Sequence, residues 1–65
     1  MKINYGPDVD ILSIVFNDTP VEGGDEEKPA LILDHDREGN VVGLEILDAS
    51  KKMANPRSVE YSISA

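Results

Sequence analysis

The chain has no cysteine and no tryptophan, a single histidine, only six basic residues against 13 acidic ones, and no long hydrophobic run. Each absence excludes something. Without cysteine, no disulfide can offset the narrow folding balance of a 65-residue chain, in which ordering costs on the order of 100 kcal/mol, close to what apolar burial returns. A structural zinc site needs thiolates or several imidazoles, and His35 stands alone. The longest uncharged stretch, Ile11 to Asn17, has strand length, well short of the roughly 18 residues of a membrane span. Met1–Tyr5 carries one positive charge and no apolar core or small-residue cleavage site, so it does not read as a signal peptide. The resulting expectation is a cytoplasmic protein with no membrane contact.

The scarcity of basic residues is uneven. Residues 1–48 hold 12 acids against Lys2, Lys28 and Arg37, a balance of −9, whereas residues 49–65 hold Glu60 against Lys51, Lys52 and Arg57, a balance of +2. An acidic body repels phosphate backbones, and Tyr5, Phe16 and Tyr61 are too few for base stacking. Nucleic acid is therefore excluded as a partner. Such a surface serves solubility first and a basic protein partner second.

What is present is an apolar fraction of 40% spread along the chain, which predicts one globular domain over residues 1–65. Met1–Tyr5 and Ile11–Phe16 read as strands around a Gly6-Pro7-Asp8 turn, forming an opening hairpin. Both faces of Ile11–Phe16 are apolar, which predicts a central strand covered on both sides. Val21–Pro29, with Gly23-Gly24 and Asp25-Glu26-Glu27, reads as a solvated loop with at most a short edge strand near its start.

Ala30–Leu33 and Val41–Leu47 flank Asp36-Arg37-Glu38-Gly39, a hairpin turn with Gly39 left-handed. Pairing His35 with Asn40 places Leu31, Leu33, Val42, Leu44 and Ile46 on one apolar face. The other face is mixed: Ile32, Asp34, Val41, Gly43, Glu45 and Leu47. Asp48 is placed to N-cap a short helix over Ala49–Ala54, stopped by Asn55-Pro56. Ser58–Ser64 alternates strictly, with Val59, Tyr61 and Ile63 on one side, and predicts a half-exposed edge strand. The predicted fold is α+β: a mainly antiparallel sheet of four or five strands in the order ββ-loop-ββ-α-β, with one short helix.

The run Gly43-Leu44-Glu45-Ile46-Leu47-Asp48-Ala49-Ser50 resembles the signature of a family of small prokaryotic proteins, the domain of unknown function 2283. That pattern opens with a tyrosine and a turn, then an aspartate before an apolar strand, an acidic loop, and an aliphatic strand ending in Asp. A Gly-containing turn and Gly-x-Glu-x-Leu-Asp-Ala-Ser follow. Here the positions are Tyr5, Asp10, Asp34, Gly39, Gly43, Glu45, Leu47, Asp48, Ala49 and Ser50. The resemblance covers about residues 1–54; Ser13 stands where an aromatic is usual, and Gly6-Pro7 alters the first turn. It implies a fold, but no established activity, catalytic residue or cofactor. Some members resemble the smaller partner of two-gene toxin–antitoxin-like arrangements.

Three constellations bear on chemistry. Asp34-x-Asp36-x-Glu38-Gly39 with Glu45 at the twelfth place matches calcium-loop spacing. The flanks are strands rather than helices, however, so the run reads as a polar hairpin turn, with Asp34, Asp36, Glu38 and Glu45 as candidate ligands only for a weak surface site. Asp34 and Glu45 share the mixed face and, with Asp10, are the candidates for carboxylate-dependent catalysis. In the register above Ala30, not Asp34, lies opposite Glu45, so a structural role is expected, with Glu45 paired to a base or to N–H groups of the Asp48–Ser50 turn. Asp10 is expected to close a turn. Ser50 and His35 lack a third member or an oxyanion loop for hydrolysis, and Gly23-Gly24 lacks the Lys, Ser or Thr of a phosphate loop.

No cofactor is therefore expected. The apolar residues of 11–16 and 30–47 exceed what one short helix covers, which predicts a homodimer or higher homo-oligomer. The function expected is a non-enzymatic protein-interaction module, able to neutralise a basic partner as an antitoxin does. The alternative is a small metal-binding or carboxylate-dependent enzyme using Asp34, Glu45 and Asp10.

Overall fold

A computed structural model describes residues 1–65. Five strands form one open, wholly antiparallel sheet: β1 (Lys2–Gly6), β2 (Ile11–Val15), β3 (Gly23–Lys28), β4 (Leu31–His35) and β5 (Val41–Ile46), followed by a single helical turn, α1 (Ala49–Lys52). The spatial order is β1-β2-β5-β4-β3. The fold is thus a hairpin joined to a three-stranded meander along one seam, where β2 pairs with β5. Each hairpin closes with a residue in the left-handed region: Asp10 (φ 57°), Ala30 (φ 69°) and Gly39 (φ 86°). Gly39 meets the expectation for its turn, and aspartate tolerates the conformation because its short polar side chain bonds locally.

The two expected hairpins form, but several details differ. The fifth strand is not Ser58–Ser64. Residues 54–65 carry no regular structure, and the acidic stretch read as a loop supplies β3 instead. β3 holds its place through backbone pairing with β4, which needs no apolar alternation, while Asp25, Glu26 and Glu27 keep its free side in water. The observed order is therefore ββ-βββ-α. The β4–β5 register pairs Leu33 with Leu44 and Leu31 with Ile46, two residues from the expected one. An even shift keeps Leu31–Asp34 and Gly43–Ile46 on their expected faces, so both faces survive over that stretch. The irregularity is a bulge at Asp34/His35, where His35 pairs with Val41 rather than Asn40. The extra residue turns Val41 to the apolar side, where it lines a shallow cavity with Leu33 and His35.

The core is very small. Leu12, Val42 and Ala49 are its buried apolar members, and only four of 65 residues are buried in all. β2 is an inner strand, as expected, but it is not covered on both sides: Val15 and Phe16 are 42% and 40% exposed. The reason is geometric. A four-residue helix is about 6 Å long, and the molecule measures 34 × 33 × 19 Å, so α1 sits at the sheet's end and leaves both faces largely open. No helix is long and apolar enough to cross a membrane.

Candidate functional site

The residues of the Tyr–Asp–Gly–Glu–Asp-Ala-Ser pattern fall into two groups, one at each of two places on the sheet. The first centres on Asp10, at the end of the β1–β2 turn. This turn is closed by Asp10 N–H donating to the Gly6 carbonyl at 2.8 Å. The Tyr5 hydroxyl donates to Asp10 Oδ1 at 2.7 Å, Ser50 N–H donates to the same oxygen at 2.9 Å, and Ser50 Oγ donates to Oδ2 at 2.7 Å. Ala49 N–H adds a bond to the Asp10 carbonyl at 3.0 Å.

Asp10 therefore caps the start of α1 from 40 residues away. Asp48, the expected cap, makes no side-chain cap bond and lies at φ 52°. Its left-handed backbone ends β5 sharply and swings Ala49 and Ser50 towards Asp10, so its role is to turn the chain. The helix stops at Lys52, short of the expected Ala54. Ala49 is fully buried at this junction.

The electrostatics follow from the donors. The Ser50 hydroxyl, then the Tyr5 hydroxyl and the Ser50 N–H, hold the Asp10 carboxyl below its ordinary value. The same bond to Asp10 raises the Tyr5 phenol. A carboxylate made less basic and already given three donors is a poor general base, and Ser50 Oγ spends its proton on Asp10 without an imidazole in contact. The cluster is a latch that ties the first turn to the helix. It has no arrangement for nucleophilic chemistry.

The second group is on the mixed face, where Ser13, Glu45 and Ile32 stand side by side across β2, β5 and β4. Asp34 is one diagonal step from Glu45, and the two carboxyl groups interact, contrary to the expectation from the Ala30–Glu45 register. Hydrogen bonding to Asp34, with burial behind it, pushes the Glu45 carboxyl above its ordinary range. Two ionised carboxylates offer no donor, so this bond exists only when the pair holds a proton. Neither a basic residue nor the N–H groups of the Asp48–Ser50 turn reach Glu45; those of Ala49 and Ser50 go to Asp10. None of the surface cavities includes Asp34 or Glu45.

Asp36 and Glu38 stand apart from that pair. The Asn40 N–H donates to Asp36 Oδ1 at 2.9 Å, as does the Glu38 N–H at 2.9 Å. Asn40 Nδ2 reaches Oδ2 at 3.2 Å. Led by the Asn40 N–H, these donors lower the Asp36 carboxyl and turn it into the hairpin. No three His, Asp or Glu side chains are grouped to hold a metal ion. His35 is half-buried, with Nδ1–H donating to the Asp36 carbonyl at 3.0 Å.

Gly43 has a backbone reason for its identity. A Cβ built there lies 2.6 Å from the Ile14 carbonyl oxygen, so the β2–β5 seam closes only over a glycine. The latch partners were invisible in the sequence, since no periodicity links residues 5, 10 and 50. The one available signal was that all three belong to the signature pattern.

The fold and these sites define a small antiparallel-sheet domain pinned by a Tyr–Asp–Ser latch. The chain belongs to the family described as protein of unknown function (DUF2283), whose family model matches residues 2–50. That span contains all five strands and both halves of the latch. Neither a curated protein nor a solved structure shows a significant match to the chain.

Proposed function

We propose that this protein is a non-enzymatic protein-interaction module that works as an assembly of at least two copies. The observation that carries the reading is its surface. A compact monomer of 7.1 kDa exposes about 4,100 Å², whereas this chain exposes 5057 Å². The excess, on the order of 1,000 Å², is of the size that each partner buries in a standard interface, about 800 Å². Apolar residues contribute to it: Ile3, Val15, Phe16 and Val41 on the sheet and Val59, Tyr61 and Ile63 beyond it are all exposed. The latch supports the non-enzymatic half of the reading, because it consumes Asp10 and Ser50 structurally. Asp34 and Glu45 have no third His, Asp or Glu grouped with them, and neither lines a surface cavity.

Sedimentation equilibrium tests the proposal. A mass of at least twice 7.1 kDa at micromolar concentration is expected, and a monomer throughout that range would refute it. The net charge of −7 favours a basic protein as any further partner, which is the antitoxin-like role, in the cytoplasm. Co-expression with a small basic protein encoded beside it is expected to give a complex that salt weakens, since the attraction between exposed charges is screened.

A further inference from the structure

The geometry points to strand exchange between copies: Ser58–Ser64 of one copy adds as a sixth strand along the free edge of β1 in a second copy, and reciprocally. This rests on the self-association proposed above and names its seam.

Four observations converge. The first is a conflict between local pattern and structure. Ser58–Ser64 alternates apolar and polar residues over its whole length, the pattern of a strand with one buried face. Yet Val59, Tyr61 and Ile63 are 56%, 74% and 83% exposed. Beyond Lys52 the only backbone hydrogen bonds are the Met53 N–H to the Ala49 carbonyl and the Ser58 N–H to the Asn55 carbonyl. A strand pattern left without a ladder calls for an edge on which to build one.

The second concerns which edge is open. The sheet has two, β1 and β3. β3 is guarded in the way natural sheets protect their edges, with Asp25, Glu26 and Glu27 in succession and a bulge between Glu26 and Lys28. β1 pairs with β2 in unbroken register over all five residues, and Lys2 is its only charge. Its outer side is an unguarded template.

The third is the match of faces. Ile3 and Tyr5 of β1 continue the apolar rows Ile3–Ile14–Leu44–Leu33 and Tyr5–Leu12–Ile46–Leu31. A strand laid beside β1 with Val59, Tyr61 and Ile63 on that side extends both rows outward. On that face Ile3, Tyr5 and Leu12 line a groove of about 300 Å³ whose other wall is the chain's own Pro56, Arg57 and Val59.

The fourth favours exchange over folding back. The tail's origin is fixed: the Arg57 N–H donates to Asn55 Oδ1 at 3.0 Å, and the Arg57 guanidinium stands over the Tyr5 ring, 5.8 Å from its centroid. The tail thus starts over the face of its own β1, where Pro56, Arg57 and Val59 line a groove with Ile3 and Tyr5, and residues 58–64 make no backbone bond to that strand. Reciprocal exchange gives both tails a ladder, closes with two-fold symmetry and stops at two copies. It also draws on the surface excess, to which the tail contributes.

Mixing isotope-labelled with unlabelled full-length chain and recording isotope-filtered NOEs tests this, alongside amide exchange and sedimentation. Expected are intermolecular NOEs between residues 58–64 and 2–6, slowed exchange at the tail amides, and a dimer. Val59→Asp with Ile63→Asp changes only exposed positions and is expected to raise the dimer dissociation constant by on the order of a hundredfold or more, with the circular dichroism of the sheet retained. A dimer with fast-exchanging tail amides, unaffected by the double substitution, overturns the exchange and leaves self-association standing. A monomer with tail-to-β1 NOEs within one chain overturns the exchange in favour of an intramolecular strand. A monomer with an unprotected tail overturns both readings.

Discussion

Replacing Gly43 with alanine tests the account of the seam that joins the two halves of the sheet. The new Cβ would lie 2.6 Å from the Ile14 carbonyl oxygen and 3.6 Å from both the Ile14 carbonyl carbon and the Val15 Cα. Close carbon–oxygen contacts in sheets lie at about 3.3–3.6 Å, so β2 and β5 must part by about 0.7 Å or tilt. All three neighbours are backbone, so no side chain can rotate away. Overpacking of this kind costs about 1–3 kcal/mol, and the upper end applies where only the main chain can yield. Restricting the unfolded chain returns about 0.5–1 kcal/mol, leaving a net loss of about 2 kcal/mol. A chain of this length has a stability of about 3–10 kcal/mol. With a urea m-value of about 1 kcal/mol/M, the midpoint should fall by about 2 M, measured at one fixed protein concentration because association shifts apparent stability. Gly24→Ala is the matched control: its new Cβ would meet Asp34 Oδ1 and Ile32 Cγ2 at 3.0 Å, both movable side-chain atoms beside an edge strand, and the expected loss is below about 1 kcal/mol. If Gly43→Ala unfolds within about 0.5 M of the parent, or no earlier than Gly24→Ala, the steric reading of the seam is refuted.

Four further outcomes follow from the β3–β4 turn, the latch and the mixed-face carboxylates. Ala30→Gly should stabilise by about 0.5 kcal/mol, because the left-handed cost of about 1–2 kcal/mol for a side-chain-bearing residue exceeds glycine's entropic cost of about 0.5–1; a lower melting temperature would contradict this. Ser50→Ala should speed amide exchange at residues 49–51 and destabilise the chain. Because the Asp10 carboxyl is lowered in the folded state, the latch's stabilisation is present above the unfolded aspartate value of about 3.9 and lost as pH falls through the folded one; Asp10→Asn should flatten that acid limb of a pH–stability profile. Glu45 runs the other way. Its carboxyl is raised, so the folded chain binds the extra proton and stability declines as pH rises from about 4.5. Glu45→Gln should remove that decline and match or exceed the parent near pH 7, and a marked loss at that pH would show that the ionised pair is stabilising after all.

Legibility in the sequence varied with the range of the interaction. The β1–β2 and β4–β5 hairpins were readable because their signals are local: β-branched runs, a glycine at the left-handed turn position, and alternation that keeps its faces even when the register moves by two. β3 was not readable, because an edge strand of Gly-Gly-Asp-Glu-Glu-Lys is held by main-chain bonds that any sequence can make. Asp48 looked like a helix cap because aspartate before a helix usually is one, yet its left-handed backbone yields that task to Asp10. The Asp34–Glu45 contact depended on a bulge, and one extra residue near a turn leaves no mark on the hydrophobic period. Ser58–Ser64 shows the opposite case, with a clear strand pattern and no strand within the single chain.

Taken alone, the sequence determined the class of fold, the absence of disulfide support, the acidic charge and the excess of apolar strand surface over helix to cover it. These depend on composition and on periods of a few residues. The tertiary structure decided which elements meet: that Asp10 reaches Ser50 across 40 residues, that Gly43 must be bare where β2 crosses close to β5, and that both faces of the sheet stay open. Such facts depend on backbone approach between distant segments, which side-chain order does not encode locally. They leave a small acidic sheet with exposed apolar residues on its strands and tail.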